Sequence, residues 1–381
     1  MRLVPALLLL ALAACASDPT AGESDSAADA AADAVDPLSW PVAEPGPYRL
    51  GYLLTEVTYT TALGESHTAP VHVWYPTNDT SGAEVRYDAI FTHEAALGGA
   101  APAAPVHDGG YPVMVQSHGH FGVAGAVAYW ADRLVSQGWV VIAPEHVGNT
   151  FHEGFPDFSE PSPSVHYIER PGDVSAALDH VATADLLAGP LQTDAVALSG
   201  HSRGAYTVWA AAGASFDPDF VAAACAGENT FFPTGSCTPD EQAAFLSGDL
   251  ADPRFQASLV LDGGIRDLFG DAGHATAHTP FMTLRKSASD AEAQVEYDRM
   301  DPLDYTWVSV EGACHETFNL GVEAATLQPC DTFEVERGWH VTATYAAAFF
   351  RHHLLGDDAA DTVGVLDESV TVDAAATLRS R

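Results

Sequence analysis

Alternating apolar and polar positions open the folded part of the chain and then give way to continuous apolar runs. Residues 48–60 and 67–75 are rich in β-formers, with the turn residues Leu63, Gly64, Glu65 and Ser66 between them. They predict an antiparallel strand pair. Short apolar runs follow: YPVMVQ at 111–116, WVVIA at 139–143 and DAVAL at 194–198, then 257–261, 281–284 and 305–310. Runs of this kind, without alternation, predict strands buried on both faces. Helical spacing fills the gaps between them. Val127, Trp130 and Leu134 share one face of a helix over 123–137 that Gly138 ends, and further helices are predicted over 170–187, 203–212 and 338–355. Strand and helix in alternation predict an α/β class: a mainly parallel, doubly wound sheet, preceded by the antiparallel pair. No internal repeat is visible. The folded domain is read as 46–358, and 359–381 as a tail that either adds one edge strand or hangs loose.

The N-terminal stretch reads differently. Arg2 precedes a short apolar run, residues 3–14, that ends in Leu12-Ala13-Ala14-Cys15. The run is too short to span a bilayer, so 1–14 is read as an export signal. Small residues before a cysteine resemble a bacterial lipobox, which makes Cys15 the expected lipidation site. Residues 15–45 are rich in Ala, Asp, Ser and Pro without periodicity, the composition of a flexible acidic tether. The expectation is an exported protein of the bacterial cell envelope, an outer-membrane or surface lipoprotein that touches membrane through its lipid alone. The charge agrees with that restriction. There are 52 acidic residues against 15 Lys and Arg, a formal net charge of -37, and Lys286 is the only lysine. Such a surface repels nucleic acid and anionic headgroups. With Cys15 set aside, Cys225, Cys237, Cys314 and Cys330 allow three disulfide connectivities. The pairing Cys225–Cys237 and Cys314–Cys330 closes the shortest loops and is preferred. Oligomeric state is not readable.

Chemistry concentrates at the end of DAVAL. The run Ser199-Gly200-His201-Ser202-Arg203-Gly204 leads straight into AYTVWAAAG. This is G-x-S-x-G between a strand and a helix, the setting of a nucleophile elbow. The sharp turn lifts Ser202 to the helix N-terminus, where the dipole and backbone N–H groups face developing negative charge. Side chains at 200 and 204 would collide in that turn, which accounts for both glycines. The earlier strand VMVQ ends in Ser117-His118-Gly119-His120-Phe121-Gly122. A loop there donates a backbone N–H to an oxyanion, so His120 and Arg203 are the expected backbone donors. His118 and His120, with His146 and His152 nearby, also have a metal-ligand reading. The order strand, loop, helix favours an oxyanion loop, and neither metal nor other cofactor is expected.

The last strand leads into Glu311-Gly312-Ala313-Cys314-His315. A histidine there is placed to take the Ser202 proton and return it to a leaving alkoxide. His274, His278, His340, His352 and His353 sit in or beside loops and helices with no such placement. Two acids fall between Ser202 and His315 in the required order. Asp262 ends the strand ASLVL before Gly263 and Gly264. Asp290 follows the next strand, in a polar run where it also reads as a helix N-cap. The strand-end position favours Asp262.

PVMVQSHGHFG, AYWADRLVSQGWVVIAPEHVGNTF, IERPGDVSAALD, LSGHSRGAYTVW, LVLDGG and EGACHETF, in this order, resemble the platelet-activating-factor acetylhydrolase branch of the α/β-hydrolases, together with its dienelactone-hydrolase-like bacterial relatives and cutinase-type cousins. The similarity covers 111–356. It implies the α/β-hydrolase fold, Ser202 and His315 in the nucleophile and base roles, the backbone of His120 and Arg203 as oxyanion hole, and an acid at Asp262, one strand earlier than in most α/β-hydrolases. The stretch 215–254, stapled by Cys225 and Cys237, departs from the pattern and could form a partial lid. Phe151, Phe155, Phe158, Phe231 and Phe232 could line an acyl pocket or only pack loops. The function expected is hydrolysis of a small-molecule or lipid carboxylic ester through an acyl-enzyme. The alternatives are a non-catalytic surface-binding protein on the same fold, a peptidase, or a polyester, cutinase-like or lactone hydrolase.

Overall fold

The computed structural model describes residues 36–87, 91–154, 157, 163–228, 237–263, 267–270, 272–301, 303–319 and 333–381. Ten strands form one sheet. They are β1 (Arg49–Thr60), β2 (Ser66–Thr77), β3 (Ala96–Gly98), β4 (Val113–Ser117), β5 (Val140–Pro144), β6 (Val196–His201), β7 (Phe255–Leu261), β8 (Phe281–Arg285), β9 (Tyr305–Val310) and β10 (Ala376–Ser380). Their order across the sheet is β10-β9-β8-β7-β6-β4-β5-β2-β1-β3. The six strands from β9 to β5 run parallel, and β1 and β2 form the expected antiparallel pair, with β2 antiparallel to β5. The order reverses about β4, so the ends of β4 and β6 lie side by side. In open α/β sheets a crevice forms at such a reversal.

The continuous apolar runs are explained by two cores. Within β4 to β9, successive residues point to opposite faces. Val113, Val115, Val140, Ile142, Val196 and Leu198 enter one core, while Met114, Val141, Ala143 and Ala197 enter the other. Helices α2 (Pro163–Thr183) and α3 (Arg203–Ala211) cover the first face; α1 (Ala128–Ser136) and α7 (Val335–Leu355) cover the second. Helix α3 is buried throughout, and its Trp209 stacks on Phe281 of β8, with ring centroids 3.8 Å apart. That packing fixes the helix that follows Ser202.

Two features differ from the sequence expectation. Helix α2 begins at Pro163 and ends at Thr183, so it carries Pro171 in its interior. Proline there has no N–H for the carbonyl four residues back, a loss of about 3 kcal/mol or more in an unassisted helix. The freed carbonyl of Tyr167 instead accepts a hydrogen bond from Tyr206 Oη at 2.9 Å. The body also starts ahead of residue 46, at Asp36. Val42 is buried, Arg351 donates to the carbonyls of Leu38 and Trp40, and Gln137 donates to those of Pro41 and Glu44. Backbone carbonyls anchor this stretch, and a hydrophobic pattern cannot show that. Of the two alternatives for the tail, the edge strand is the one found: after α8 (Ala360–Leu366), β10 pairs antiparallel with β9.

The stapled stretch contains α4 (Pro218–Cys225) and α5 (Pro239–Leu246), joined by the disulfide Cys225–Cys237. Val221, Ala224, Ala244 and Phe245 pack into the core beneath α2 and α3. Cys314 is also disulfide-bonded, and Cys330, its expected partner, lies outside the described residues.

Candidate active site

Backbone geometry singles out the site before any side chain does. Among the described residues, four non-glycine positions have positive φ: Phe121 (46°), Ser202 (55°), Asp262 (43°) and Glu368 (62°). Such a backbone costs of order 1–3 kcal/mol per residue and gathers where function holds it. Three of the four are in the SHGHFG loop, at the elbow and at the end of β7, on neighbouring strands.

The elbow lies between β6 and α3. Ser202 N–H donates to the carbonyl of Leu261 at 3.0 Å, which ties the turn to the end of β7. Its side chain caps no helix N–H, so the hydroxyl is not committed to α3. A Cβ on Gly200 would come 2.2 Å from the Gly204 carbonyl oxygen, and one on Gly204 would come 2.1 Å from that of Ser117. Both contacts are impossible, which is why the motif needs glycine at each end. A Cβ on Gly119 would stand 3.2 Å from that of Ser202, so the loop after β4 passes directly against the elbow.

Asp262 and His315 come together beside it. His315 Nδ1 lies 2.7 Å from Asp262 Oδ2; the carboxylate is 3% exposed and the imidazole 28%. Burial alone would raise the Asp262 pKa. The His315 hydrogen bond and the charges of His315, Arg285 and Lys286 outweigh it and hold the carboxyl below its usual range. An ionised acceptor on Nδ1 fixes the tautomer that leaves Nε2 as the basic nitrogen. Next to Ser202, the His201 ring lies 4.6 Å from the His315 ring, and its Nε2 is 2.9 Å from the His315 carbonyl. Asp290 is elsewhere. It caps α6 (Ala291–Arg299), accepting from Glu292 and Ala293 N–H, and pairs with Arg285 at 3.1 Å.

The remaining histidines divide cleanly. His118 is fully buried. Its Nε2 accepts the His146 N–H at 2.9 Å and its Nδ1 donates to the Gly119 carbonyl at 2.8 Å. Burial holds its pKa down, to about 4. His146 has Ser117 Oγ on Nε2 and Asp173 Oδ2 on Nδ1, each at 2.8 Å. Both rings are therefore occupied by protein groups on both nitrogens, which works against the metal reading of HGH. His120 is exposed, with Asn149 against its Nδ1. His201, His315 and Glu316 bring ligand-type atoms within 4.8 Å of one another. However, His201 Nε2 already serves a carbonyl and His315 Nδ1 a carboxylate. Of the five phenylalanines, Phe151 is described and half-buried, packed beside Val123 and Ala126; Phe155, Phe158, Phe231 and Phe232 lie outside the described residues, as does Gly264.

The sheet order, the strand-turn-helix elbow and the acid and histidine at the following strand ends can now be compared with known proteins. A ferulic acid esterase from Streptomyces cinnamoneus superposes with a TM-score of 0.62 at 19% identity, over 88% of this chain and 98% of that one. The chain has the α/β-hydrolase fold. The chlorophyllase family model matches residues 97–227, a segment that contains the SHGHFG loop and the elbow. No curated protein sequence matches. Two parts of this site were missed in the sequence. The chain's only lysine, Lys286, stands with Nζ 3.7 Å from Asp262 Oδ2. Its position just after a strand end was the available signal. The second is the buried polar network under the SHGHFG loop, whose members are scattered from 59 to 207.

Proposed function

We propose that the chain is a serine carboxylic-ester hydrolase in which Ser202 is the nucleophile, His315 the base and Asp262 the orienting acid. The observation that carries this reading is the strained Ser202 at the head of α3, whose hydroxyl caps no N–H of that helix, with a hydrogen-bonded Asp262–His315 pair after the strands that follow. The solved neighbour is a ferulic acid esterase and the matching family model is that of chlorophyllase, which point to ester chemistry.

In this mechanism His315 Nε2 takes the Ser202 proton as Oγ attacks the ester carbonyl. The backbone amides of His120 and Arg203 receive the developing oxyanion, the second at the N-terminus of α3 where the helix dipole adds to it. Collapse breaks the bond to the alkoxide, which leaves with the proton from His315. Water then attacks the acyl-enzyme, again through His315, and releases the acid and free Ser202. Asp262 stays ionised throughout and stabilises the imidazolium.

From the lipobox-like Leu12-Ala13-Ala14-Cys15 we also propose that the protein is held in the cell envelope by a lipid on Cys15. Turnover of p-nitrophenyl esters from acetate to palmitate, with and without a fluorophosphonate, tests the activity. Turnover that the fluorophosphonate abolishes is expected. A folded protein that neither turns over any of the series nor takes up the label would reject it.

A further inference from the structure

Ser117, His146 and Asp173 form a Ser–His–Asp chain of hydrogen bonds at the end of β4, both at 2.8 Å. None can meet substrate, because the three side chains are essentially inaccessible. Their position points to a supporting role instead. Ser117 is the last residue of β4, and the next five residues are the loop that crosses the elbow. Asp173 is itself held by Tyr59 Oη at 2.9 Å. The His118 ring then clips the loop to the His146 amide.

Arg170 completes the brace. It lies in the interior of α2 with no exposed surface. Its guanidinium donates to the His118 carbonyl, to Asn149 Oδ1 at 3.0 Å and to Thr207 Oγ1 of α3 at 3.3 Å. Asn149, also fully buried, passes the contact on: its Nδ2 donates to His120 Nδ1 at 3.0 Å. One planar cation thus touches the loop at His118, reaches it again at His120 through Asn149, and grips the helix that carries Ser202. A rigid fork suits this better than a lysine, which offers a single mobile point.

We propose that Arg170 and Asn149 are positioning residues for the oxyanion loop, setting the His120 amide against the Ser202 elbow so that they govern the rate of acyl transfer and not substrate binding. The inference rests on the ester-hydrolase reading above. It follows because an oxyanion donor acts through preorganisation, and small misplacements cost rate without weakening ground-state binding.

The test uses the full chain with p-nitrophenyl butyrate. Asn149→Ala is the deciding variant, since it cuts the link to His120 while leaving the buried cation in place; Arg170→Lys keeps the charge and loses the fork. Both should lower kcat by about 10–100-fold with KM within about twofold, since losing one oxyanion donor outright costs about 10²–10³. The rate of phosphonylation by a fluorophosphonate should fall in proportion. His120→Ala combined with Asn149→Ala should cost no more than the larger single change, because both break the same link. A folded Asn149→Ala protein with native kcat, or one whose defect lies in KM with native phosphonylation, overturns the inference. Ser202→Ala, run in parallel, separates the two levels: turnover that survives it removes the ester-hydrolase reading itself, whereas its loss beside an unaffected Asn149→Ala removes only this positioning role.

Discussion

Replacing Asp262 by Asn isolates the role of the acid with little structural disturbance. Asn keeps the size of the side chain and tolerates the positive φ of 43° that this position holds, so the backbone strain is not changed. What changes is the group facing His315 Nδ1 across 2.7 Å. An amide no longer stabilises the imidazolium. If it presents its NH₂, it also forces the tautomer with hydrogen on Nε2, which cannot accept the Ser202 proton. The carboxylate is only 3% exposed, so water cannot substitute for it. A loss of about 10⁴-fold in kcat is expected, which is about 5 kcal/mol of transition-state stabilisation. Asp290→Ala is the control. It removes an N-cap from α6, worth about 1 kcal/mol, and the ion pair with Arg285. The melting temperature should drop by a few degrees with turnover near native. Steady-state kinetics and thermal melts on both variants decide the matter. Near-native turnover in Asp262→Asn with inactive Asp290→Ala would refute the assignment and require the acid one strand later.

Three further outcomes follow from the same structure. His274 is buried against Trp209 and Phe269, and burial, helped by the charge of Arg299, outweighs a hydrogen bond to the Gly270 backbone and holds its pKa down to about 3. It folds neutral, so its contribution is fully present above the unfolded value near 6.5 and is lost as pH falls towards 3, by roughly 5 kcal/mol across that window. His274→Leu should therefore flatten the dependence of the urea midpoint on pH between about 6.5 and 4; an unchanged slope would contradict this. Lys286→Met removes one of the charges that hold the Asp262 carboxyl below its usual range, and because Lys286 is half exposed its loss should change kcat by no more than about twofold, an effect that high salt erases; a loss of tenfold or more would contradict that weak coupling. Cys15→Ser should shift the protein from the detergent phase to the aqueous phase or block its processing, and an unmodified N-terminus well past residue 15 would count against the lipid anchor.

The sheet was largely legible in the sequence because its strands are buried on both faces, and a run such as WVVIA allows few other placements. The turn at Ser202 was legible for a local reason: three residues and their flanking glycines meet one steric demand. Asp262 was harder, since the choice over Asp290 depends on where two strands end relative to His315, and no local pattern records that distance. The packing of residues 36–45 was hidden because it works through backbone carbonyls taken by Arg351 and Gln137. The start of α2 was hidden because Pro171 looks like a boundary, and only the distant Tyr206 hydroxyl makes it tolerable inside a helix. The network from Ser117 to Arg170 was invisible for the same reason, being assembled from polar residues on separate elements.

The nucleophile can be identified chemically without knowing the natural ester. Native protein and Ser202→Ala would each be treated with a fluorophosphonate, digested, and mapped by mass spectrometry, with circular dichroism confirming that the variant is folded. A serine hydrolase built on this elbow should carry a single phosphonyl group on Ser202 in the native chain, lose ester turnover in step with labelling, and take no label in the variant. Equal labelling of the folded variant, or a modified serine elsewhere in the native protein, would contradict it.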